Sequence, residues 1–252
     1  MPTQLLICGI IGQRKGETME LGARLKAVAN LVPTNLICAD IGTDHAYLPV
    51  YLVEQGRVQA AIASDNKRGP YEAAYKTVEQ HHLKNKIQVR LGSGLATVSW
   101  GEVQCITIAG MGGLTMLSIL EEAKELLTDE RLKYIVLQPQ TDGDRVRQWA
   151  EKHGWGIAAE DLVAEGNKLY EMFRLERNPH YVYTGKSYEI GQLLIESRHP
   201  LLEKKLSKMI QAYTASLAGM EQGRTAVESA QYKLIKNKLE KLKEIYDENY
   251  RC

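Results

Sequence analysis

The chain has 252 residues, of which 44% are hydrophobic and 25% are charged. This is the composition of an ordinary globular protein, and it excludes a disordered or collagen-like chain. Lysine and arginine number 32 against 31 aspartates and glutamates, which gives a net charge of +1. The overall charge therefore gives no reason to expect a nucleic-acid partner, and any basic surface must be local.

The sequence shows no pattern of a membrane span, of a signal peptide or of a metal site. The apolar stretch near the amino end is far below the roughly 20 residues that span a bilayer, and it lacks the flanks of a signal peptide. The four cysteines have no CxxC spacing and no neighbouring histidine cluster, so we expect no metal site. Scattered cysteines of this kind favour a protein of the reducing cytoplasm. We expect no membrane among its partners.

A clean amphipathic pattern begins at Met19, and this pattern suggests that residues 1–18 are an N-terminal extension of the functional chain. Leu21, Leu25 and Val28 then recur at helical spacing until Pro33 ends the helix. After it, apolar runs alternate with longer helical patterns. The runs predict strands buried on both faces, because most are rich in Val and Ile and lack polar alternation; they cover 36–39, 60–63, 87–91, 105–108 and 134–137.

Helical patterns lie between these runs, at about 46–55, 70–83, 114–127 and 143–153. Strand–helix repetition predicts right-handed βαβ units and an α/β fold with a parallel sheet. Two further strands near 156–164 and 169–176 have no long helix between them. We therefore expect them to pair antiparallel at the sheet edge, and we expect the domain to cover 19–180.

A helical appendage is expected over 185–252. Apolar residues follow spacings of three and four in two sets, first from Leu202 to Met220 and then from Ile235 to Tyr246, with Gly219 and Gly223 between the sets. This predicts two helices that fold back as an antiparallel, coiled-coil-like hairpin. The appendage carries 12 basic and 9 acidic residues. A solvated helix face explains that excess as well as RNA binding does.

The first strand end favours one ligand class. In doubly wound sheets ligands bind at the carboxyl ends of the strands, and here Asp40, Gly42 and Asp44 follow the first strand. Only one glycine of the GxGxxG dinucleotide loop is present, and a pyrophosphate would lie badly against Asp44. Two carboxylates suit a ligand with a cationic amino-acid tail, which favours S-adenosylmethionine over NAD.

The next two strand ends supply contacts for an adenosine. Asp65 and Asn66 follow the second strand, where an acidic residue can accept hydrogen bonds from both ribose hydroxyls. A helix N-cap is the structural alternative. Ser93 and Gly94 follow the third strand and suit an adenine edge, although an ordinary turn explains them equally well.

The fourth strand ends in a glycine-rich segment. Ala109, Gly110 and Met111 open it, and two further glycines follow. Glycine directly after a buried strand is costly unless something approaches the backbone closely. We expect this segment to form the floor beside the methyl group, with the amides of 138–140 offered to a base edge.

Five segments, taken together, resemble the bacterial tRNA (adenine-22-N1)-methyltransferase family. The resemblance covers roughly residues 20–250. It rests on ADIGTDHAYLP (39–49), ASDNKRGP (63–70), GSGL (92–95), TIAGMGG (107–113) and LQP (137–139). The chain departs from that family at Ser93, because members tend to have aspartate there, and a serine would hold adenine less firmly.

The resemblance implies a Rossmann-like class I methyltransferase sheet, S-adenosylmethionine as methyl donor and S-adenosylhomocysteine as product. The implied substrate is N1 of an adenine in the D-arm of tRNA, at position 22. Asp44, His45 and Tyr47 are the catalytic candidates, and Met111 or Tyr47 could stack on the extruded base. Six lysines of the appendage are candidates for phosphate contacts: Lys204, Lys205, Lys208, Lys236, Lys238 and Lys241.

Three other interpretations stay open at this point. A methyltransferase of a small molecule or a protein would use the helical tail for dimerisation. An NAD-linked oxidoreductase is disfavoured by the missing GxGxxG loop and by Asp44. A catalytically inactive RNA-binding module is disfavoured by the intact glycine loops.

Overall fold

The computed structural model describes residues 18–177, 187–222 and 229–251. The predicted extension at 1–18 lies almost entirely outside these ranges, and so does the punctuation expected at 178–180. A seven-stranded sheet with the order β3-β2-β1-β4-β5-β7-β6 forms the centre of the molecule. Its strands are β1 (Ile37–Ile41), β2 (Ala60–Asp65), β3 (Ile87–Leu91), β4 (Cys105–Met111), β5 (Tyr134–Pro139), β6 (Trp155–Glu165) and β7 (Lys168–Arg177).

Five helices and two 3-10 turns accompany the strands of the sheet. The helices are α1 (Ala23–Leu31), α2 (Tyr47–Glu54), α3 (Arg68–Gln80), α4 (Gly113–Glu122) and α5 (Gly143–Lys152), and the turns are Gly94–Thr97 and Leu126–Thr128. Strands β1 to β5 pair in parallel. The prediction of an α/β, Rossmann-like fold is therefore confirmed, and the strand ends differ from the predicted ones by at most three residues.

Both faces of the sheet are buried, as the apolar strand sequences predict. On one face, Cys38, Ala61 and Val136 pack with α1, α2 and α3. On the other, Ile106 and Leu137 pack with α4 and α5. The layered packing fixes the strand ends on a rigid scaffold, which is what a binding site at their carboxyl edge needs.

The β6–β7 hairpin confirms the antiparallel pair and extends it. Strand β7 pairs with β5 only from Tyr134↔Glu176 to Leu137↔Phe173, whereas β6 and β7 pair as far as Glu165↔Lys168. The tip of the hairpin therefore projects beyond the carboxyl end of β5. It forms a wall on the side of the sheet where ligands are expected.

The carboxyl-terminal helices form the predicted antiparallel hairpin. They are the short α6 (Gln192–Glu196), which the sequence pattern did not indicate, α7 (Leu202–Glu221) and α8 (Ala230–Tyr250). Tyr232 donates to Glu221 at one end of the pair, and Tyr246 donates to Glu203 at the other. Helix α7 continues through Gly219. This glycine faces open space, because no heavy atom lies within 4 Å of the position that a Cβ would take. The predicted break at that glycine is therefore wrong.

A buried ion cluster and an apolar contact join this hairpin to the sheet. Leu162 of β6 packs with Leu202 and Leu206 of α7 and with Leu242 of α8. Beside them, the guanidinium of Arg147 lies within 2.7 Å of Glu160 and 3.0 Å of Glu171.

Among the helices of the described ranges, none is long and apolar enough to cross a membrane.

Candidate active site

The carboxyl ends of β1 to β4 surround a cavity of about 830 Å³, which is within the size range of small-molecule sites. It lies at the switch point of the sheet, where β1 has β2 on one side and β4 on the other. All ten residues predicted to contact a cofactor line it: Asp40, Gly42, Asp44, Asp65, Asn66, Ser93, Gly94, Ala109, Gly110 and Met111.

The loop after β1 has an unusual backbone. Gly42, Asp44 and Ala46 have φ angles of 72°, 55° and 57°, which is the left-handed region that non-glycine residues adopt at a cost. A Cβ at Gly42 would collide with the Met111 side chain. Glycine at this position therefore lets the loops after β1 and β4 lie close together at the cavity, where the sequence predicts the cofactor.

Asp40 places a carboxyl group in the floor of the cavity. Its side chain is buried, and its Oδ1 accepts a hydrogen bond from Thr107 Oγ1 at 2.7 Å. Burial raises the pKa of Asp40, while the hydrogen bond from Thr107 opposes that rise. A cationic ligand group would supply the positive charge that this buried carboxylate lacks.

Asp65 connects two of the loops. Its Oδ1 accepts from Lys67 N at 2.9 Å and its Oδ2 accepts from Asp44 N at 3.3 Å. The N-cap residue of α3 is Lys67, so the alternative role of Asp65 as that cap is wrong. The carboxylate instead holds the first and second loops together at the cavity wall.

The three catalytic candidates lie together at the rim. The rings of His45 and Tyr47 stack with centroids 5.2 Å apart and an angle of 13° between their planes. His45 Nε2 lies 3.6 Å from Asp44 Oδ1, and both side chains are about half exposed or more. Tyr47 is exposed as well. The rim therefore offers a carboxylate and a flat aromatic pair to a group that arrives from solvent.

Sequence reasoning missed Arg24. This α1 residue lines the cavity and donates from Nη1 to Gln138 Oε1 at 2.8 Å, although the two residues are 114 positions apart. Gln138 is fully buried, and its amide donates to Pro139 O. Its amide is therefore occupied by protein partners, and of the two glutamines expected to meet a base edge only Gln140 lines the cavity.

Comparison with known proteins decides the family. A family model described as tRNA (adenine(22)-N(1))-methyltransferase matches residues 38–244. The Bacillus subtilis (strain 168) protein of that name is 33% identical over 235 residues, which cover 91% of this chain and 98% of that protein. The chain belongs to the tRNA (adenine(22)-N(1))-methyltransferase family.

Solved structures of similar proteins contain the cofactor or its product. The Streptococcus pneumoniae protein Sp1610 in complex with S-adenosyl-L-methionine is 35% identical, with a TM-score of 0.80 over 90% of this chain and 100% of that one. M. capricolum TrmK in complex with S-adenosyl-homocysteine is 28% identical, with a TM-score of 0.77 over 90% of this chain and 98% of that one. The S-adenosylmethionine prediction is confirmed.

The family membership also confirms the enzyme class. Members of this family methylate N1 of adenine 22 in tRNA with S-adenosylmethionine. This favours methyl transfer to tRNA over the three other interpretations of the sequence, namely an NAD-linked oxidoreductase, a methyltransferase of small molecules or proteins, and an inactive RNA-binding module.

The six lysines predicted to contact RNA do not share one environment. Lys205 is buried, and its Nζ donates to Glu171 at 2.6 Å and to Ile190 O at 2.7 Å. Because its ammonium is already bonded to these two partners, we do not assign a phosphate contact to Lys205. Lys238 pairs with Glu189. Exposed side chains belong to Lys204, Lys208, Lys236 and Lys241.

Exchange of Asp40 for asparagine separates cofactor binding from stability. We expect Asp40→Asn to lower the affinity for S-adenosylmethionine by about tenfold or more, because a hydrogen bond to a charged group contributes about 1.5–3 kcal/mol. The free energy of unfolding without ligand should not fall, since a buried charge is removed while Oδ1 can still accept from Thr107. Calorimetric titration and urea unfolding measure the two quantities, and a parallel loss of both would indicate a structural role instead.

The raised pKa of Asp40 has a further consequence. This carboxyl group takes up a proton at a higher pH than an ordinary aspartate. The affinity for the cationic cofactor should therefore decline on acidification while exposed aspartates are still ionised. Asp40→Asn should abolish that part of the pH dependence.

Proposed function

We propose that the cavity holds S-adenosylmethionine across the carboxyl ends of β1 to β4, with the methionine end near β1. Asp40 and Asp44 provide negative charge for its amino group, and Asp65 accepts the ribose hydroxyls. Ser93 and Gly94 contact the adenine. The observation that carries the proposal is that ten candidates from four separate loops line one cavity at the switch point.

The methionine end also needs a partner for its carboxylate. Arg24 is a cation that lines the same cavity, beside Gly110. Because an arginine fork pairs well with a carboxylate, we assign Arg24 to that end of the donor. Ala109, Gly110 and Met111 then form the floor on which the target base lies.

The chemistry places modest demands on the chain. When bound, S-adenosylmethionine supplies an electrophilic methyl group on a sulfonium. Adenine N1 has a free lone pair at neutral pH, so it can attack without prior loss of a proton. The residues of the chain have to align the base, exclude water and stabilise the positive charge that passes to the ring. A strong general base is not required.

The rim residues Asp44, His45 and Tyr47 are assigned to the base. The Asp44 carboxylate accepts a hydrogen bond from the exocyclic amine and stabilises the developing charge, while His45 orients it. The exposed Tyr47 ring stacks on the adenine, which has to leave its own stack in the folded tRNA.

Substitutions at this rim should rank in a defined order. We expect Asp44→Asn to lower kcat by about tenfold or more, because it removes a charge-assisted hydrogen bond. His45→Ala should have a smaller effect, because the imidazole acts through Asp44 and Tyr47. Tyr47→Phe is the matched control, since it keeps the stacking ring and should retain nearly full activity. Single-turnover methyl transfer at saturating S-adenosylmethionine measures all three, so that a weaker cofactor contact of Asp44 does not enter the rate. An unchanged rate in Asp44→Asn would contradict the assignment.

The helical tail is proposed to position the tRNA through phosphate contacts at Lys204, Lys208, Lys236 and Lys241. Such contacts fix the register of the RNA without reading its sequence. A tRNA substrate and the two free, buried cysteines Cys38 and Cys105 both support a cytoplasmic location.

Charge reversal distinguishes the exposed tail lysines from the buried one. Lys204→Glu should weaken tRNA binding and lower the salt dependence of log Kd by about 1, with the affinity for S-adenosylhomocysteine unchanged. Lys152→Glu is the control, because this exposed lysine ends α5 at the opposite edge of the sheet. Lys205→Glu should instead destabilise the fold. A salt slope in Lys204→Glu equal to that of the control would exclude the contact.

A further inference from the structure

A second cavity of about 500 Å³ lies beside the active site. It is enclosed by the end of β5, the projecting tip of the β6–β7 hairpin and the first turns of α7. Gln140 lines both cavities. Arg24, which lines the first, lies with its guanidinium carbon 5.7 Å from the centre of the Tyr170 ring, which lines the second. The two cavities are therefore neighbours.

The second cavity is basic. Three lysines and one glutamate line it, which gives a net charge of +2. Glu171 does not offset the exposed cations, because Lys205 and Arg147 pair with it. Burial alone would raise the pKa of Glu171, but the charges of Arg147 and Lys205 outweigh burial and lower the pKa to about 2.

Two of the lysines are available to a ligand. Lys168 and Lys208 are exposed, and neither has an ion-pair partner within the described part of the chain. Lys208 Nζ donates to Asn167 O at 2.9 Å, which holds the ammonium at the hairpin tip and leaves two of its protons free. The pair can therefore bind an anion from solvent.

The rest of the lining suits a flat apolar group. Leu169, Met209 and Pro139 supply apolar surface, and Gln140 and Thr141 supply hydrogen-bonding groups next to it. An anion joined to a flat, hydrogen-bonding ring is the chemistry of a nucleotide. The position next to the proposed target base indicates which nucleotide this is.

We propose that the second cavity binds a nucleotide that flanks the methylated adenine in the same tRNA strand. Its phosphate contacts Lys168 and Lys208, and its base lies against Met209 and Leu169. This inference rests on the proposed function, since it assumes that the target adenine enters the first cavity. The subsite then holds the strand in register while the target base is extruded.

The phosphate contact is tested with the double variant Lys168→Ala/Lys208→Ala, in which both side chains are exposed and folding is not at risk. We expect tRNA affinity to fall by about fivefold or more, and the salt slope of log Kd to fall by about 1 for each lysine that neutralises a phosphate. Lys133→Ala is the control, because this exposed lysine precedes β5 at the opposite edge of the sheet. A salt slope equal to that of Lys133→Ala would overturn the proposal.

The base contact is tested with tRNAs that are abasic at position 21 or at position 23. One of these two changes should lower kcat/KM of the unaltered enzyme by about tenfold, the effect of losing a stacked base. In Met209→Ala the same abasic change should cost much less, whereas in Met220→Ala, on the same helix outside the cavity, the full loss should persist. Equal losses in all three proteins would overturn the proposal.

The same assay separates two kinds of failure. If the unaltered enzyme forms no N1-methyladenosine in intact tRNA, the proposed function is wrong and the subsite falls with it. If transfer to intact tRNA is normal, and free AMP does not restore the activity lost with the abasic tRNAs, the second cavity takes nucleotides only as part of RNA, as proposed. Inhibition by micromolar AMP that is lost in Met209→Ala but retained in Met220→Ala would assign the second cavity to a free nucleotide and would overturn the proposal.

Discussion

Asp65→Ala is expected to lower the affinity for S-adenosylhomocysteine by at least about 100-fold, because two charge-assisted hydrogen bonds to ribose hydroxyls contribute about 1.5–3 kcal/mol each. The same substitution releases the amides of Lys67 and Asp44, which the carboxylate holds at 2.9 Å and 3.3 Å. The loop after β1 therefore also loses its anchor to the second loop.

The conservative variant separates these two effects. Asp65→Asn retains an oxygen for the Lys67 amide but removes the charge, so its loss of affinity should be intermediate. Isothermal titration measures binding, and thermal unfolding without ligand shows whether each variant is folded. If folded Asp65→Ala bound S-adenosylhomocysteine within threefold of the unaltered protein, the assignment of the ribose site would be wrong.

Arg147→Ala is expected to destabilise the protein by about 3–5 kcal/mol, because removal of one member of a buried ion cluster leaves an uncompensated charge. The guanidinium is fully buried between Glu160 and Glu171, and it also donates to Tyr188 O at 2.9 Å. Burial lowers the pKa of the neighbouring Lys205, while Glu171 opposes that shift. The cluster thus joins α5, β6 and β7 to the helical hairpin.

Urea unfolding of Arg147→Ala and Arg145→Ala measures this contribution. Arg145 lies on the same helix with an exposed side chain, and its loss should change the free energy of unfolding by no more than about 0.5 kcal/mol. Equal effects of the two substitutions would show that the buried cluster does not stabilise the fold.

The dependence of stability on pH gives an independent test of the ion cluster around Arg147. Glu171 has its pKa lowered from 4.5 to about 2, so its ionised form contributes stability that is present above pH 4.5. That stability is lost as the pH falls from 4.5 towards 2. In Arg147→Ala the folded-state pKa of Glu171 should lie nearer 4.5, because one of the charges that hold it down is gone, so less stability should be lost between pH 4.5 and pH 2.

The meeting of the predicted cofactor residues in one cavity follows from the sequence for a simple physical reason. Parallel strands all end at one edge of a sheet, so residues that follow different strands, such as Asp40, Asp65 and Gly110, must meet there. Chain order and strand pattern were enough to bring them together. Arg24 was missed because it reaches the cleft from a helix that precedes the first strand, and no local pattern records its contact with Gln138.

The spacing of the lysines in the helical tail already separates those that face solvent from those that lie on the apolar face. Lys205 is three residues after Leu202 and four before Met209, so helical geometry puts it on the apolar face next to the sheet. Lys238 has the same spacing to Ile235 and Leu242. Both lysines pair with carboxylates in the structure. The periodicity that predicted the helices also contained this information.

The second cavity could not be predicted from the sequence. It depends on how far the β6–β7 hairpin extends past the end of β5, and pairing register of that kind is a tertiary feature. Lys168, Lys208 and Gln140 are distant in sequence, and only the fold places them around one space.

The most direct test is methyl transfer from labelled S-adenosylmethionine to unmodified tRNA, followed by separation of the nucleosides by mass spectrometry. The expected product is N1-methyladenosine at position 22 of the D-arm, absent when that adenine is replaced by another base. Clear cofactor binding with no transfer to tRNA, or transfer that persists after replacement of adenine 22, would contradict the proposed function.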